Sequence, residues 1–472
     1  MAILKVLTKY GTVVGVPGKN ARNTVFRGVP YAQPPVGALR FAPPKEPIPW
    51  DGELFCTEYS ASSIQREPVS PSIHTISEDS LYLNIWTPAE SPEEKLPVMF
   101  WIHGGGFIAG SGTSPNFSGE ALNAHGVILV TINYRLGALG YLALPELLER
   151  DGTTGNYGLL DQIAALKWVH ENITAFGGDP DNITVFGFSA GGMSTRMLMC
   201  SPLSRGMISK IIVESGGGIT DSDYYRPLSE KMDICVRGMK KLGWTLSDLM
   251  ERDAREIFSA LHDATADELE PWEKSVFQPD VDGWSLLDTP GVSLWKGDCA
   301  DVPVMAGSVT GDNGWIKIVR HEVTDKSMIP AFVYSRGVSW AVRQAETGRR
   351  PLYTYHFERT QPKKYWASEA NKTPHGSEIP YVMGTISPEE FGEYDFELSR
   401  MMTAYWANFA KTGNPNGPGL KNWPLYTLDE PVSMHFTDTG YQAELLAKTE
   451  SEKRAIRFVT DHPGVIRSLK GL

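Results

Sequence analysis

The amino-acid sequence predicts an α/β fold with a large, mostly parallel central sheet flanked by helices. Short apolar runs bounded by turn residues recur along the chain, which is typical of strands buried on both faces. Segments with helical spacing of apolar residues lie between these runs. Two of the runs lead directly into glycine-rich turns, and open α/β sheets bind their ligands at such strand ends.

The individual elements follow from these runs and spacings. The predicted strands are Val98–Ile102, Val127–Ile132, Ile183–Phe186, Ile211–Val213, Val302–Met305 and Leu352–Phe357. One helix is predicted around the face formed by Leu159, Ile163, Leu166 and His170. A second is predicted around Leu398, Met401, Met402, Tyr405 and Phe409, with Gly413 able to end it.

Size and composition favour one large globular domain. The chain has 472 residues, 41% apolar and 21% charged, and no repeat, charge block or Gly/Ser linker divides it. We therefore predict a single domain over residues 1–472, with helical insertions at about 221–290 and 314–345. The first insertion is polar and helix-prone, and we expect it to cover the carboxyl edge of the sheet and shape the pocket.

Net charge and cysteine content indicate which binding partners and which cellular compartment to expect. A net charge of −12 without a basic stripe argues against nucleic acid and anionic lipid. No apolar run approaches the roughly 20 residues of a membrane span, and the first residues lack a secretion signal. Four cysteines without a C-x-x-C pair indicate reduced, buried thiols instead of disulfides or a metal site. We expect a cytoplasmic protein that binds a small molecule; its oligomeric state stays open.

The segment Gly187-Phe188-Ser189-Ala190-Gly191 is the first candidate for catalysis. The G-x-S-x-G pattern alone is weak, but here a predicted strand enters it and a helical pattern leaves it. Flanking glycines allow the sharp turn that would hold the Ser189 hydroxyl above the sheet. This context indicates a nucleophile instead of an ordinary turn serine.

A second motif, His103-Gly104-Gly105-Gly106-Phe107, directly follows the strand Val98–Ile102. Successive glycines can turn backbone N–H groups toward one point and so stabilise a developing oxyanion. A flexible loop would explain the glycines equally well. The order of this motif and the later serine motif is, however, the one that esterases and lipases use.

A nucleophilic serine needs a histidine to take its proton and an acid to orient that histidine. The histidines that follow Ser189 are His321, His356, His375, His435 and His462. His356 alternates with apolar neighbours and fits a strand. His375 lies in a polar turn after the last predicted strand, from which it could reach across the sheet edge. His462, before Pro463, is its main competitor.

Asp312 is the candidate acid. It lies in the turn that follows the predicted strand Val302–Met305, a suitable place to hold a histidine. An ordinary Asx turn is the local alternative, and the local sequence alone favours that alternative.

These residues closely resemble the type B carboxylesterases, the cholinesterase-like branch of the α/β-hydrolases, over nearly the whole chain. The segments that carry the resemblance are 26–32 (FRGVPYA), 77–84 (SEDSLYLN), 103–107 (HGGGF), 133–135 (NYR), 155–162 (GNYGLLDQ), 176–180 (FGGDP) and 406–416 (WANFAKTGNPN). The resemblance implies an α/β-hydrolase fold and no metal or organic cofactor.

The resemblance also implies residue roles. Ser189 corresponds to the nucleophile, His375 to the base and Asp312 to the acid. The implied oxyanion hole consists of the N–H groups of Gly105, Gly106 and Ala190. Phe188 and Phe107 are expected to line the substrate pocket, and Glu78 and Arg135 to form a structural ion pair.

Three departures from the family pattern bear on the substrate and compartment. Phe188 stands where many members have Glu before the nucleophile, which removes a negative charge. Ser80 and Ser63 stand where a disulfide is usual, which supports a reducing compartment. Residues 67–77 also lack the Trp with which cholinesterases hold a quaternary ammonium. Phe188 and the missing Trp argue against a choline ester.

The sequence thus predicts a serine hydrolase that cleaves carboxylic esters through an acyl-enzyme, with a Ser189–His375–Asp312 triad. The same machinery acting on a lactone, thioester, amide or carbamate is the first alternative. A non-catalytic binding module is the second, although members of that kind typically lack a triad residue.

Overall fold

The structure is a computed structural model, and it describes residues 2–66, 75–221, 226–269, 275–312 and 325–465. The chain forms two compact units. Unit 1 comprises residues 1–183, 201–207 and 224–287, and unit 2 comprises residues 184–200, 208–223 and 288–472.

Strands and helices alternate through much of the described chain. The strands are β1 (Lys5–Leu7), β2 (Thr12–Val14), β3 (Val16–Pro17), β4 (Thr24–Pro30), β5 (Glu53–Phe55), β6 (Ser62–Ser63), β7 (Ile76–Ser77), β8 (Tyr82–Thr87), β9 (Leu96–Ile102), β10 (Ile128–Ile132), β11 (Gly178–Phe188), β12 (Lys210–Glu214), β13 (Thr220–Asp221), β14 (Val304–Val309), β15 (Tyr353–Phe357), β16 (Val432–Phe436), β17 (Tyr441–Leu445) and β18 (Gly464–Val465). The helices are α1 (Glu120–Asn123), α2 (Gly137–Tyr141), α3 (Pro145–Asp151), α4 (Tyr157–Asn172), α5 (Ala190–Cys200), α6 (Leu228–Leu242), α7 (Leu246–Glu251), α8 (Ala254–Thr265), α9 (Pro290–Lys296), α10 (Ile329–Glu346), α11 (Ile379–Val382), α12 (Glu393–Thr412) and α13 (Glu450–Asp461).

In unit 1, five strands pair in the order β9-β10-β8-β4-β3. The β9–β10 pair is parallel, and the remaining pairs are antiparallel. Every residue of β10 is buried, as its continuous apolar run predicts. Helix α8 packs against α2, the helix that follows β10.

In unit 2, the strands pair in the order β17-β16-β15-β14-β12-β11. The pairs from β11 through β16 are parallel, and only β17 runs antiparallel to its neighbour. Parallel strands bring their carboxyl ends to one edge of the sheet, so the segments after β11, β12 and β14 start from the same edge. These segments begin at Ser189, Ser215 and Thr310.

The structure confirms the predicted α/β fold and the predicted strands and helices, with ends shifted by a few residues. Gly413 ends α12 as expected, with φ +77° and its N–H donated to the Phe409 carbonyl. Two strands that were not predicted follow the His375 turn. β16 and β17 come later in the chain, where short runs interrupted by polar residues gave a weak apolar signal.

Helices α6, α7 and α8 lie within the predicted insertion 221–290. The second predicted insertion, 314–345, begins in residues 313–324, which lie outside the described part of the chain; α10 occupies most of its remainder. A single domain over 1–472 stays a prediction. No helix in the described ranges is long and apolar enough to cross a membrane.

Candidate active site

Ser189 occupies the turn between β11 and α5. Its φ of +57° is unusual for a residue other than glycine. Hydrogen bonds fix the turn on both sides: the Ser189 N–H donates to the Glu214 carbonyl at 2.9 Å, and the Ser189 carbonyl accepts from the Met193 N–H at 2.9 Å. Because neighbouring residues hold the Ser189 backbone in a strained conformation, Ser189 is a candidate for a functional role.

Close backbone packing explains the glycines after this turn. A Cβ added to Gly192 would lie 2.8 Å from the Cα of Gly216, and a Cβ added to Gly216 would lie 2.4 Å from the carbonyl carbon of Gly192. No larger residue fits without moving the backbone. The start of α5 and the segment after β12 therefore lie in direct contact.

The side chains of His375 and Asp312, both in unit 2, are in direct contact. His375 Nδ1 lies 2.5 Å from Asp312 Oδ1, and an isolated parallel bridge between Gly311 and Pro374 holds their two turns together. The His375 side chain is 42% exposed, whereas that of Asp312 is 7% exposed. A buried carboxylate thus orients an accessible imidazole, as general-base catalysis requires.

Asp312 is held in its ionised form. Burial alone would raise its pKa, but the charge and hydrogen bond of His375, followed by Ser215 and the Val309 N–H, outweigh burial and lower the pKa. The Val309 N–H lies 3.2 Å from Asp312 Oδ2. The acid can therefore stabilise a protonated imidazole at neutral pH.

Phe188 connects the serine turn to the histidine turn. Its ring centroid lies 5.4 Å from that of His375. A Cβ on Gly376 would approach Phe188 Cε2 to 2.9 Å, so glycine is the residue that fits there. The residue before Ser189 therefore packs against the turn that carries His375.

Two buried carboxyl groups, Glu214 and Glu378, lie close to this site. Trp406 Nε1 donates to Glu214 Oε1 at 2.6 Å, and Ser215 Oγ lies 3.3 Å from Glu378 Oε1. Burial raises the pKa of Glu214 to about 8. Burial, reinforced by the charges of Glu214 and Asp312, raises the pKa of Glu378 to about 8 as well. Both carboxyls are mainly neutral at pH 7, which leaves Asp312 as the charged acid beside His375.

The competing histidines have other surroundings. His356 is buried in β15, as its alternation predicts, and burial lowers its pKa to about 4. His435 binds Glu358, and His462 donates from Nδ1 to the Phe458 carbonyl at 2.7 Å. His321 lies outside the described residues. Of the four histidines that the structure describes here, only His375 contacts Asp312.

In unit 1, the predicted glycine loop follows β9. Gly105 and Gly106 have φ values of +118° and +64°, and a Cβ on Gly105 would lie 2.0 Å from the Ala109 carbonyl oxygen. Within the described ranges, the N–H groups of Gly105 and Gly106 donate to no protein acceptor; taken by itself in unit 2, the Ala190 N–H also has none. Backbone donors without an acceptor are what an oxyanion site requires.

His103 supports this loop. Its Nδ1 lies 2.8 Å from the Gly104 carbonyl, and its ring stacks on Tyr134 with centroids 4.5 Å apart. Burial lowers the pKa of His103 to about 4, so the ring is neutral at pH 7. The neutral ring donates from Nδ1 and fixes the start of the loop.

Phe107 lies at the end of the glycine loop, and its side chain is only 1% exposed. Its predicted place in the lining of the substrate pocket stays a prediction. The ring packs edge-on against Tyr141 at 5.6 Å, and the Phe107 carbonyl accepts from the Gly137 N–H at 2.7 Å. Phe107 is a core residue that anchors the end of the glycine loop.

The prediction that Glu78 and Arg135 form an ion pair is wrong. Glu78 pairs with Arg40 through two hydrogen bonds, from Nε at 2.7 Å and from Nη2 at 2.5 Å. Arg135 makes a bidentate pair with buried Asp161, at 2.8 Å for both bonds. All four residues lie in unit 1. In each pair, two parallel hydrogen bonds join the guanidinium group to the carboxylate.

The hydroxyl groups of Ser63 and Ser80 are in contact, as expected for two positions where the family pattern has a disulfide. Their hydroxyl oxygens lie 2.9 Å apart and are buried. A hydrogen bond therefore joins the two positions where the family pattern has a covalent bond. None of the four cysteines, Cys56, Cys200, Cys235 and Cys299, forms a disulfide.

A cavity of about 370 Å³ lies in unit 1 beside the glycine loop. Its walls include Ile108, Ala109, Phe258 and Leu269, with Arg66 and Asp263 among the polar residues. The N–H groups of Ile108 and Ala109 both donate to the Gly105 carbonyl, so this wall and the loop form one folded segment. The cavity offers a mainly apolar surface.

Several residues that support the site were not predicted from the sequence. Glu214, Ser215 and Glu378 surround Asp312 and the serine turn, and Arg40 and Asp161 are the true ion-pair partners. One signal was available: Glu214-Ser215-Gly216 repeats the pattern of a strand followed by serine and glycine, and Ser215 has φ +51°. The ion-pair partners lie far from one another in the sequence and gave no local signal.

The sequence of this chain is similar to those of known carboxylesterases over most of its length. A model of the carboxylesterase family matches residues 3–328 and 323–456. The para-nitrobenzyl esterase of Bacillus subtilis (strain 168) is 35% identical, covering 96% of this chain and 98% of the relative. The human cocaine esterase is 33% identical, covering 89% of this chain and 85% of the relative.

Solved structures agree with the sequence comparison. A thermophilic para-nitrobenzyl esterase superimposes with a TM-score of 0.82 at 31% identity, covering 96% of this chain and 99% of the other. The fold is therefore that of the α/β-hydrolases. The chain belongs to the carboxylesterase family, and it is a carboxylic-ester hydrolase.

Proposed function

We propose that this chain hydrolyses esters through an acyl-enzyme formed on Ser189. The observation that carries the proposal is the 2.5 Å contact of His375 with Asp312, in the turn that packs against Phe188 beside Ser189. His375 takes the Ser189 proton as Ser189 attacks the ester carbonyl, and it then protonates the departing alcohol. Asp312 holds the productive tautomer by accepting from Nδ1–H.

The N–H groups of Gly105, Gly106 and Ala190 stabilise the oxyanion of each tetrahedral intermediate in this mechanism. Their lack of other acceptors supports the assignment, because a donor already satisfied would have to give up a bond during the reaction. Water then attacks the acyl group with His375 as base, and Ser189 is released. The residues supply all the acid–base chemistry that the reaction needs.

The substrate class that we propose is an uncharged ester with an apolar group. Phe188 places an aromatic ring beside His375 instead of a carboxylate, and the cavity next to the glycine loop has apolar walls. Asp263, the carboxylate among the lining residues, already pairs with Arg66, so a cationic alcohol such as choline would lose its hydration there without an unpaired opposite charge in return. We also propose a reducing, cytoplasmic location, which the four cysteines without a disulfide and the Ser63–Ser80 contact support.

Release of nitrophenol from short acyl esters tests the nucleophile. The experiment compares the wild type, Ser189→Ala and Ser194→Ala, with circular dichroism to establish that all three are folded. Ser194 is a matched control, since it is a buried serine on α5 whose Oγ has no partner among the described residues. We expect turnover to vanish only in Ser189→Ala; equal turnover in Ser189→Ala and the wild type would overturn the proposal.

A further inference from the structure

Two of the four cysteines lie together in unit 2. Cys200 is the last residue of α5, and Cys299 follows α9 by three residues. The Ala300 N–H donates to the Met199 carbonyl at 3.0 Å, so the residues next to the two cysteines are joined through their backbones. The Cys200 side chain is close enough to Cys299 to lower the pKa of that thiol, and Cys200 Sγ also lies 4.0 Å from the Pro290 carbonyl oxygen. This arrangement pairs the thiols, although they are 99 positions apart in the sequence.

The two thiols differ in accessibility. Cys200 is 6% exposed, whereas Cys299 is half-buried. A small reagent therefore reaches Cys299 first and leaves Cys200 as a second thiol behind it. In two-step thiol chemistry, the more exposed thiol suits the attacking role and the buried thiol suits the resolving role.

Arg349 adds a positive charge at the exposed thiol. Its Nη1 lies 3.8 Å from Cys299 Sγ, while Nη2 donates to the Gly297 carbonyl at 2.7 Å and so fixes the guanidinium. The Cys200 hydrogen bond and the Arg349 charge outweigh partial burial and lower the pKa of Cys299. A larger thiolate fraction favours attack on a disulfide.

We propose that Cys299 and Cys200 are a modification site for low-molecular-weight disulfides such as glutathione disulfide. The Cys299 thiolate attacks one sulfur of the disulfide, forms a mixed disulfide and releases one thiolate. The Cys200 thiolate then attacks Cys299 Sγ, closes the Cys200–Cys299 disulfide and releases the second thiolate. The two protons lost by the cysteines go to the two released thiolates, so one external disulfide is reduced to two thiols.

The bond connects two segments that lead to the site. Helix α5 begins directly after Ser189, and the chain after Cys299 enters β14 and then reaches Asp312. The hydrogen bond between Ala300 and Met199 holds the two backbones beside each other before the disulfide forms. We expect the oxidised protein to unfold at a higher temperature than the reduced protein, since the new bond restricts the unfolded chain. This expectation does not depend on the catalytic mechanism.

The test treats the folded full chain with glutathione disulfide and reads intact mass, peptide mass and melting temperature. The wild type should lose two hydrogens in mass, yield a Cys200–Cys299 linked peptide and melt at a higher temperature. Cys299→Ser should show none of these three changes, and Cys200→Ser should stop at a single glutathione adduct on Cys299. Cys56→Ser, which alters a buried thiol in unit 1, is the control and should behave as the wild type.

Three results would overturn the proposal. The first is a wild type that keeps all its thiols after a treatment that modifies exposed thiols of a reference protein. The second is a glutathione adduct that persists on Cys299 although Cys200 is present. The third is a link that joins either cysteine to Cys56 or Cys235.

Discussion

Asp312 and His375 meet through two turns that the backbone itself joins. Their side chains are 2.5 Å apart, and the residue before each of them takes part in the Gly311–Pro374 bridge. A Cβ on Gly311 would lie 2.1 Å from the Thr373 carbonyl oxygen, so the approach depends on glycine. The pair is thus preorganised by main-chain packing, which limits the freedom that the imidazole must lose during catalysis.

His375→Ala should abolish most turnover, whereas His462→Ala should leave it close to that of the wild type. His462 stacks on Phe458 at the end of α13 and binds that residue's carbonyl. Steady-state hydrolysis of a nitrophenyl ester by both variants measures the difference. Near-normal turnover by His375→Ala would exclude it as the base.

Asp312→Asn should reduce kcat by roughly 10⁴, because the amide cannot hold the same histidine tautomer or stabilise its positive charge. Asp312→Glu restores the charge but lengthens the side chain, and we expect intermediate turnover. Measuring kcat and KM separately checks that the loss lies mainly in kcat. A drop that appears only in KM would assign Asp312 to substrate binding instead.

Gly105→Ala should lower kcat by roughly 10²–10³ if the variant folds, the loss typical of one missing oxyanion donor. The added methyl group cannot avoid the Ala109 carbonyl at φ +118°, so the loop must move. Gly126→Ala is a useful control for positive φ alone, since Gly126 has φ +72° and an added Cβ meets nothing within 4 Å. Equal turnover in the two variants would argue against a role for the loop in the reaction.

Glu214→Gln should change how stability depends on pH. The pKa of Glu214 is raised from 4.5 to about 8, so the folded state binds more protons than the unfolded state between these values. The stabilisation from this group is therefore complete below pH 4.5 and is lost as pH rises through about 8. Urea unfolding at several pH values should give a flatter dependence for Glu214→Gln than for the wild type.

The control for that experiment is Glu397→Gln, which alters an exposed carboxylate on α12. Gln at position 214 keeps an oxygen for the Trp406 hydrogen bond while removing the titration. If the slope of stability against pH is the same for the wild type and Glu214→Gln, this carboxyl is not neutral in the folded protein.

Sequence patterns were most informative where one segment contains the whole signal. The strand that ends at Phe188, the serine turn and the glycine loop each combine an apolar run with residues of special backbone freedom. Asp312 and His375 could be proposed because each follows a recognisable pattern, but only the fold brings them into contact. The pairing of Glu78 with Arg40 depends on three-dimensional packing, and the family resemblance led to the wrong expectation for it.

The most direct test of the central claim is detection of the covalent intermediate. The wild type is mixed with a nitrophenyl ester, quenched in acid within the first turnovers and digested, and the peptide containing Ser189 is weighed. The proposed mechanism predicts an acyl group on Ser189, absent in Ser189→Ala and accumulating when deacylation is slow. Active hydrolysis with no acyl group on this peptide, or with the group on another residue, would contradict it.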